Sequence, residues 1–255
     1  MGADEQITED GILGNRLRVR QPLRGHRVGH DAIILAAATG GRAGEEAIDL
    51  GSGVGAAGLA LAARIPGLKV TLVEIDWELS VLSAENARLN GLQDRVRALA
   101  LDVENLDTFE EAGLSASVFD RVLMNPPFHD AHRQNVSPDP RRRLAHMGRP
   151  GLLRQWIGTA QWLLKPRGVL TLIWRADGLP EVLNALGPAF GDIGVLPLLP
   201  REGAQAIRMV VRAVKGADGP SLTYPPLVLN DALGQPTDAA EAILRRGNTL
   251  NIAEL

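Results

Sequence analysis

Hydrophobic and polar residues follow two alternating rhythms along most of the chain. From residue 45 onward, short apolar runs alternate with stretches that carry a one-sided apolar face. The runs Ala47–Leu50, Lys69–Ile75, Val96–Leu101, Val118–Met124, Val169–Trp174, Ile193–Leu199 and Ala206–Val214 predict seven core strands. Lys69–Ile75 is nearly all β-branched or Leu, the pattern of a strand buried on both faces. Helices are predicted over Ala56–Arg64, stopped by Pro66-Gly67, and Trp77–Leu89, closed by Asn90-Gly91. Two more are predicted over Leu152–Leu164, ending at Lys165-Pro166, and Leu179–Leu186. Strand and helix in alternation imply right-handed βαβ units. The expected fold class is therefore α/β: a Rossmann-like, seven-stranded, mostly parallel sheet with helices on both faces. Only Pro200–Gln205 separates the last two strands, so one antiparallel strand is expected at an edge.

Ahead of this pattern, residues 11–20 read as a hairpin turning at Gly14-Asn15. Asp31 is the N-cap or first-turn acid of an Ala-rich helix that ends at Gly40-Gly41. Three parts follow: an N-terminal hairpin and helix (1–44), the main α/β domain (45–215) and a C-terminal extension (216–255). Residues 129–149 break the pattern, with two prolines, a run of three arginines and no apolar period. A loop of that length in a compact domain is functional or disordered. No internal repeat is present.

Composition narrows the classes. The chain has 255 residues, 45% apolar and 22% charged, enough for a packed core and too apolar for wholesale disorder. The longest apolar stretch is Ala32–Ala38, far short of a membrane span. Met1–Asp10 is acidic and polar, the opposite of a signal peptide. The absence of cysteine excludes disulfides, zinc–thiolate sites, iron–sulfur clusters and thiol nucleophiles, and it fits a cytoplasmic protein. The net charge of −3 excludes a uniformly basic nucleic-acid binder. Two islands stand out all the same, each +5. Residues 11–30 hold Arg16, Arg18, Arg20, Arg24 and Arg27 without an acid; residues 131–154 hold six arginines against Asp139. They point to a local anionic partner, or to the Arg-rich usage of a GC-rich genome. The pairs His26/His30 and His129/His132 lack a third local ligand, so no metal is expected. Trp156 and Trp162 lie on an amphipathic helix and belong to the core. There is no G-x-S-x-G elbow to anchor a hydrolase triad.

The richest segment runs from Ala47 to Gly58. Gly53-x-Gly55-x-x-Gly58, with Glu74 following 21 residues later, fits a dinucleotide site and an NAD-dependent oxidoreductase. Gly51-x-Gly53-x-Gly55, with Asp49 two residues ahead, fits an S-adenosyl-L-methionine site equally well. Both need glycine because the ligand lies against bare backbone. The acid discriminates. Asp49 at a strand end favours the ammonium and sulfonium of S-adenosylmethionine and opposes a pyrophosphate. Glu74 ends the next strand and can accept from two ribose hydroxyls, one per carboxylate oxygen. Asp102 ends the third, where it can accept from an adenine amine. Acids at three adjacent strand ends make a site pattern, against a plain reading as helix caps.

After the fourth strand comes Asn125-Pro126-Pro127-Phe128. As a tetrapeptide it is an ordinary turn; at the carboxyl end of a buried strand it stands at the cofactor edge. Asn-Pro-Pro-Phe/Tyr at this place resembles the motif of S-adenosylmethionine-dependent enzymes that methylate planar nitrogens: adenine N6, guanine N2 and the glutamine side-chain amide. In such enzymes the Asn125 oxygen and the Pro126 carbonyl would each accept one amine hydrogen. Proline fixes the backbone that aims the carbonyl, and Phe128 would stack on the target base.

The segment from Arg24 to Leu35 is similar to the pre-sheet element of bacterial tRNA (adenine-N6)-methyltransferases of the valine-tRNA position-37 type. Arg143-Leu144-Ala145-His146 resembles the stretch that follows their catalytic motif. The resemblance spans about residues 10–215. It implies a methyltransferase sheet, S-adenosyl-L-methionine as cofactor and residues 1–44 covering the cofactor site. It further implies Asp31, Asp49, Gly51, Gly53, Gly55, Glu74 and Asp102 as cofactor residues, and Asn125, Pro126, Pro127 and Phe128 as catalytic ones. Arg141, Arg142, Arg143 and His146 would meet an RNA substrate, expected to be tRNA. Guanine-N2 rRNA, protein-glutamine and small-molecule methyltransferases remain as alternatives. The glutamine enzymes of release factors carry a helical N-terminal domain where this chain begins with a hairpin.

Overall fold

The N-terminal hairpin forms as expected, from β1 (Ile7–Ile12) and β2 (Leu17–Pro22), with Leu13, Gly14 and Asn15 at positive φ in the turn. The computed structural model describes residues 6–24, 27–127 and 151–254. Leu17, Val19 and Gln21 of β2 are buried while Arg18 and Arg20 are exposed, the period of two expected of a strand with one wet face. The arginines of this first basic island do not stand unopposed. Glu9 pairs with Arg18 and with Arg20 (3.1 Å), and Asp10 pairs with Arg27 (2.7 Å). Both acids lie on β1, just outside the stretch that reads as purely basic in sequence, so part of that charge is met by the hairpin's own acids.

Helix α1 (His30–Ala38) leads into β3 (Glu46–Leu50), α2 (Ala56–Arg64), β4 (Lys69–Glu74), α3 (Trp77–Leu89), β5 (Val96–Ala100), α4 (Leu106–Glu111) and β6 (Phe119–Met124). After residue 151 come α5 (Leu152–Leu163), β7 (Leu164–Arg175), α6 (Leu179–Leu186), β8 (Phe190–Arg201) and β9 (Arg208–Lys215). The sheet runs β5-β4-β3-β6-β7-β9-β8. The antiparallel pairing falls at the β8–β9 edge as expected; within it, β9 lies between β7 and β8 and is antiparallel to both. Two short strands beyond residue 215, β10 (Leu222–Thr223) and β11 (Leu227–Asn230), add parallel to β8 and bring the sheet to nine strands. Helix α7 (Asp238–Leu244) follows them.

Successive residues of each central strand enter opposite cores. Ala47, Val70, Leu72 and Leu123 pack with α1 and α2 on one face. Ile48, Leu50, Val73 and Met124 pack with Phe109 of α4 and with α5 and α6 on the other. Trp156 is buried in that second core, and Trp162 packs against it, edge-on to Phe109. No helix among the described residues is long and apolar enough to cross a membrane.

Candidate active site

Chain order reverses at one place in the sheet. β3, β4 and β5 run outward in one direction and β6 and β7 in the other, so β3 and β6 flank the switch point. In such sheets ligands bind off the carboxyl ends of the strands at that point. Leu50 pairs in register with Met124 on one side and Val73 on the other. Gly51, Asn125 and Glu74 therefore leave or end three neighbouring strands at the same level.

The loop after β3 is built for a tight turn. Gly51 and Gly53 have φ of +71° and +56°, which glycine adopts without strain. Ser52 donates its N–H to the Val73 carbonyl (2.8 Å), tying the loop to β4. The Trp156 ring lies directly against Gly51: a Cβ there would come 2.5 Å from the ring. At Gly53 a Cβ would meet nothing within 4 Å, so the backbone there faces open space.

Each acid has backbone work of its own. Asp49 is 2% exposed and accepts from the Gly58 N–H of α2 at 2.9 Å. Burial raises its pKa to about 7; the Gly58 bond pulls it down and the neighbouring charge of Glu74 pushes it up. Glu74 accepts from the Gly53 N–H through Oε2 (2.9 Å) and from the Asp76 N–H through Oε1 (3.0 Å). Both its oxygens are already engaged by backbone, so a ribose would share them. Asp102, half-buried, accepts from the Glu104 N–H at 2.9 Å. Asp31 lies in the first turn of α1 and pairs with Arg208 (3.4 Å), whose strand position is level with Arg175 at the same sheet edge.

Three polar atoms at this edge are buried without a hydrogen-bond partner among the described residues: Ser52 Oγ, Asn125 Oδ1 and Trp156 Nε1. A buried orphan costs about 1–3 kcal/mol, so groups of this kind are kept where a ligand or water completes them. Glycine backbone facing open space, a carboxylate that titrates near neutrality and unspent polar atoms beside them suit a polar, cationic cofactor. Pro126 is buried and Pro127 half-buried; Phe128, Arg141, Arg142, Arg143 and His146 lie outside the described residues, as do His26, His129 and His132. Among the described residues no three metal-ligating side chains cluster.

Comparison with known proteins decides the family. The family model of the methyltransferase small domain matches residues 32–196, well over half of the chain. The chain belongs to this family. The cofactor of this methyltransferase is thus S-adenosylmethionine. A solved structure from Agrobacterium tumefaciens, described as a predicted O-methyltransferase, is 30% identical with a TM-score of 0.72, over 86% of this chain and 97% of that one. A tRNA1(Val) (adenine(37)-N6)-methyltransferase from Porphyromonas gingivalis is 32% identical over 160 residues, 61% of each chain. A release factor glutamine methyltransferase from Chlorobaculum tepidum is 30% identical over 155 residues, 58% of this chain and 52% of that one. The chain thus spans about half to three-fifths of the length of these two curated relatives.

Sequence reasoning passed over two residues at this strand-end edge. Ser52 was hidden among the glycines, and only its unpartnered hydroxyl marks it. Trp156 reads as core and is core, and helical spacing carries no signal that its ring would also wall Gly51.

Proposed function

We propose that this methyltransferase modifies the exocyclic amine of a nucleic-acid base, adenine N6 in tRNA. The observation that carries the proposal is the buried, unpartnered Asn125 Oδ1 beside the glycine loop at the switch point. When bound, S-adenosylmethionine supplies a methyl group already activated by its sulfonium. Gly53 would give it bare backbone, in a loop that Gly51 seats against Trp156 and Gly55 against Leu72 and Ser83, and Asp31, Asp49, Glu74 and Asp102 would hold its polar groups. Residues 1–44 would cover it.

Asn125 and Pro126 deal with the acceptor. An exocyclic amine is a poor nucleophile because its lone pair is delocalised into the ring. It brings two hydrogens, and two acceptors wait in sequence: Asn125 Oδ1 and the Pro126 carbonyl. Accepting both hydrogens favours a pyramidal nitrogen with its lone pair free. Pro126 has a fixed φ and the following Pro127 confines its ψ, so that carbonyl is held stiffly. Phe128 would stack on the base, and Arg141, Arg142, Arg143 and His146 would meet the RNA backbone. The target is an unstacked loop base, since an amine inside a duplex is out of reach. A hydroxyl acceptor, as the name of the Agrobacterium neighbour implies for that protein, would leave one of the two acceptors without a hydrogen.

Glutamine offers the same NH₂ group as adenine, and one relative is named for it. Methyl transfer from labelled S-adenosylmethionine into separated tRNA, rRNA and protein, followed by nucleoside and amino-acid analysis, tests the choice. N6-methyladenosine in tRNA is expected; N2-methylguanosine or methylated glutamine would move the substrate to another class. Asn125→Ala is expected to bind the cofactor as the parent does while turnover falls about 10²–10³-fold, the scale for losing one preorganised hydrogen bond. Unchanged turnover would remove Asn125 from the mechanism.

A further inference from the structure

Helix α3 holds the N-terminal hairpin by an unusual pairing. Asn90 and Asn86 stand four residues apart, about 6 Å along the helix, close to the rise of two residues in a strand. Their carboxamides use that match to pair with alternate residues of β2 as a neighbouring strand would. The Arg18 N–H donates to Asn90 Oδ1 (2.9 Å) and Asn90 Nδ2 donates to the Arg18 carbonyl (2.7 Å). The Arg20 N–H donates to Asn86 Oδ1 (2.8 Å) and Asn86 Nδ2 donates to the Arg20 carbonyl (2.9 Å).

The two rungs differ in where their second amide hydrogen goes. Asn90 returns it to its own helix, at the Asn86 carbonyl (2.7 Å). Asn86, fully buried, sends it across to the Val54 carbonyl (3.0 Å), between Gly53 and Gly55 in the cofactor loop. Ser83, one turn earlier on α3, packs under Gly55: a Cβ there would lie 3.2 Å from Ser83 Cβ. One carboxamide therefore ties together α3, the hairpin strand and the loop.

We propose that Asn86 is a positioning residue for the cofactor, coupling the glycine loop to the N-terminal hairpin so that ordering one orders the other. Asn90 secures the hairpin alone. The inference rests on the cofactor assignment and is independent of which acceptor the enzyme methylates.

Asn86→Ala, Asn86→Asp and Asn90→Ala separate the roles. The Asp variant keeps the acceptor for the Arg20 N–H but turns a carboxylate oxygen toward the Val54 carbonyl. Calorimetric titration with S-adenosylmethionine is expected to show affinity weakened about tenfold by both Asn86 variants and less than twofold by Asn90→Ala. Limited trypsin cleavage within residues 16–20 is expected to accelerate in both alanine variants. Hydrogen exchange of the ligand-free proteins supplies a reading that needs no cofactor: amides of Ser52–Gly55 should exchange faster in the Asn86 variants and at the parent rate in Asn90→Ala. Equal effects of Asn86→Ala and Asn90→Ala on affinity and on loop exchange would reduce Asn86 to a hairpin fastener and overturn the proposal. Parent-like affinity in Asn86→Ala would do the same.

Discussion

The fold and the proposed cationic cofactor favour different protonation states of Asp49. Its pKa of about 7 is set first by burial, against an ordinary value of 3.8. Below pH 3.8 the carboxyl is protonated in folded and unfolded chains alike and shifts nothing. Between that point and pH 7 the unfolded chain releases a proton that the folded one keeps, so stability falls as pH rises. Above pH 7 the loss is complete, on the order of 4 kcal/mol. Denaturant unfolding of Asp49→Asn should accordingly give a flatter pH profile than the parent from pH 4 to 8 and a higher stability at pH 8. A cationic ligand has the opposite preference, because it is attracted by the ionised carboxylate. The ionised fraction rises from about one tenth at pH 6 to about nine tenths at pH 8, so cofactor affinity should rise about tenfold over that range. Titration calorimetry at the two pH values checks this, and an equal rise in Asp49→Asn would assign it to another group.

At the scale of elements, the glycine loop and α5 form one unit. Gly51 and Gly53 share a positive φ, yet their surroundings are opposite. Alanine at 51 would drive its Cβ into Trp156 and displace α5, whereas alanine at 53 meets nothing in the protein. Gly51→Ala should therefore lose several kcal/mol of stability, from overpacking added to backbone strain. Gly53→Ala should lose about 1–2 kcal/mol, the strain alone, while its cofactor affinity drops more than tenfold. Thermal unfolding with and without the cofactor separates the two; a Gly53→Ala protein that keeps its ligand-induced shift would show that the open space is not the binding surface. The contrast also marks what the sequence made legible. Six of the seven core strands could be read within about three residues, because strands buried on both faces are apolar runs bounded by turn residues; β7 begins five residues early, at Leu164, and runs through Lys165-Pro166. Asp49, Glu74 and Asp102 could be placed at or near three neighbouring strand ends for the same reason. Helix α4 was missed because it is six residues long with Phe109 as its one buried side chain, too short to declare a period. β10 has two residues and exists through its pairing with β8. Asn86 and Asn90 read as a helix and its end; that their side chains complete a strand depends on a neighbour 66 to 72 residues away.

Across the whole molecule the tail that follows α7 packs on α1 and reaches the hairpin turn. Leu250 donates its N–H to the Ala37 carbonyl (2.9 Å), and Ile252 is fully buried beside that helix. Arg64 donates to the Ala36 and Gly247 carbonyls and to Thr249 Oγ1, stitching α2 to the same tail. Arg16 in the hairpin turn donates to the Arg246 carbonyl. The N-terminal island is partly met by its own neighbours: Glu9 pairs with both Arg18 and Arg20, Asp10 pairs with Arg27, and Arg16 donates to a carbonyl. The proposed RNA substrate would then draw chiefly on the other island, residues 131–154, where six arginines stand against one aspartate in sequence. Replacing Arg141, Arg142 and Arg143 together by alanine should weaken RNA binding and make its salt dependence shallower by about 2 in log–log slope, the value for three contacts to a single strand. Replacing Arg18 and Arg20 by alanine should change the slope less, because both already pair with Glu9 in the free protein. Filter binding or fluorescence anisotropy over a range of salt measures both. A slope that responds to the hairpin arginines and ignores the loop arginines would reverse the assignment and put the RNA on the hairpin side of the molecule.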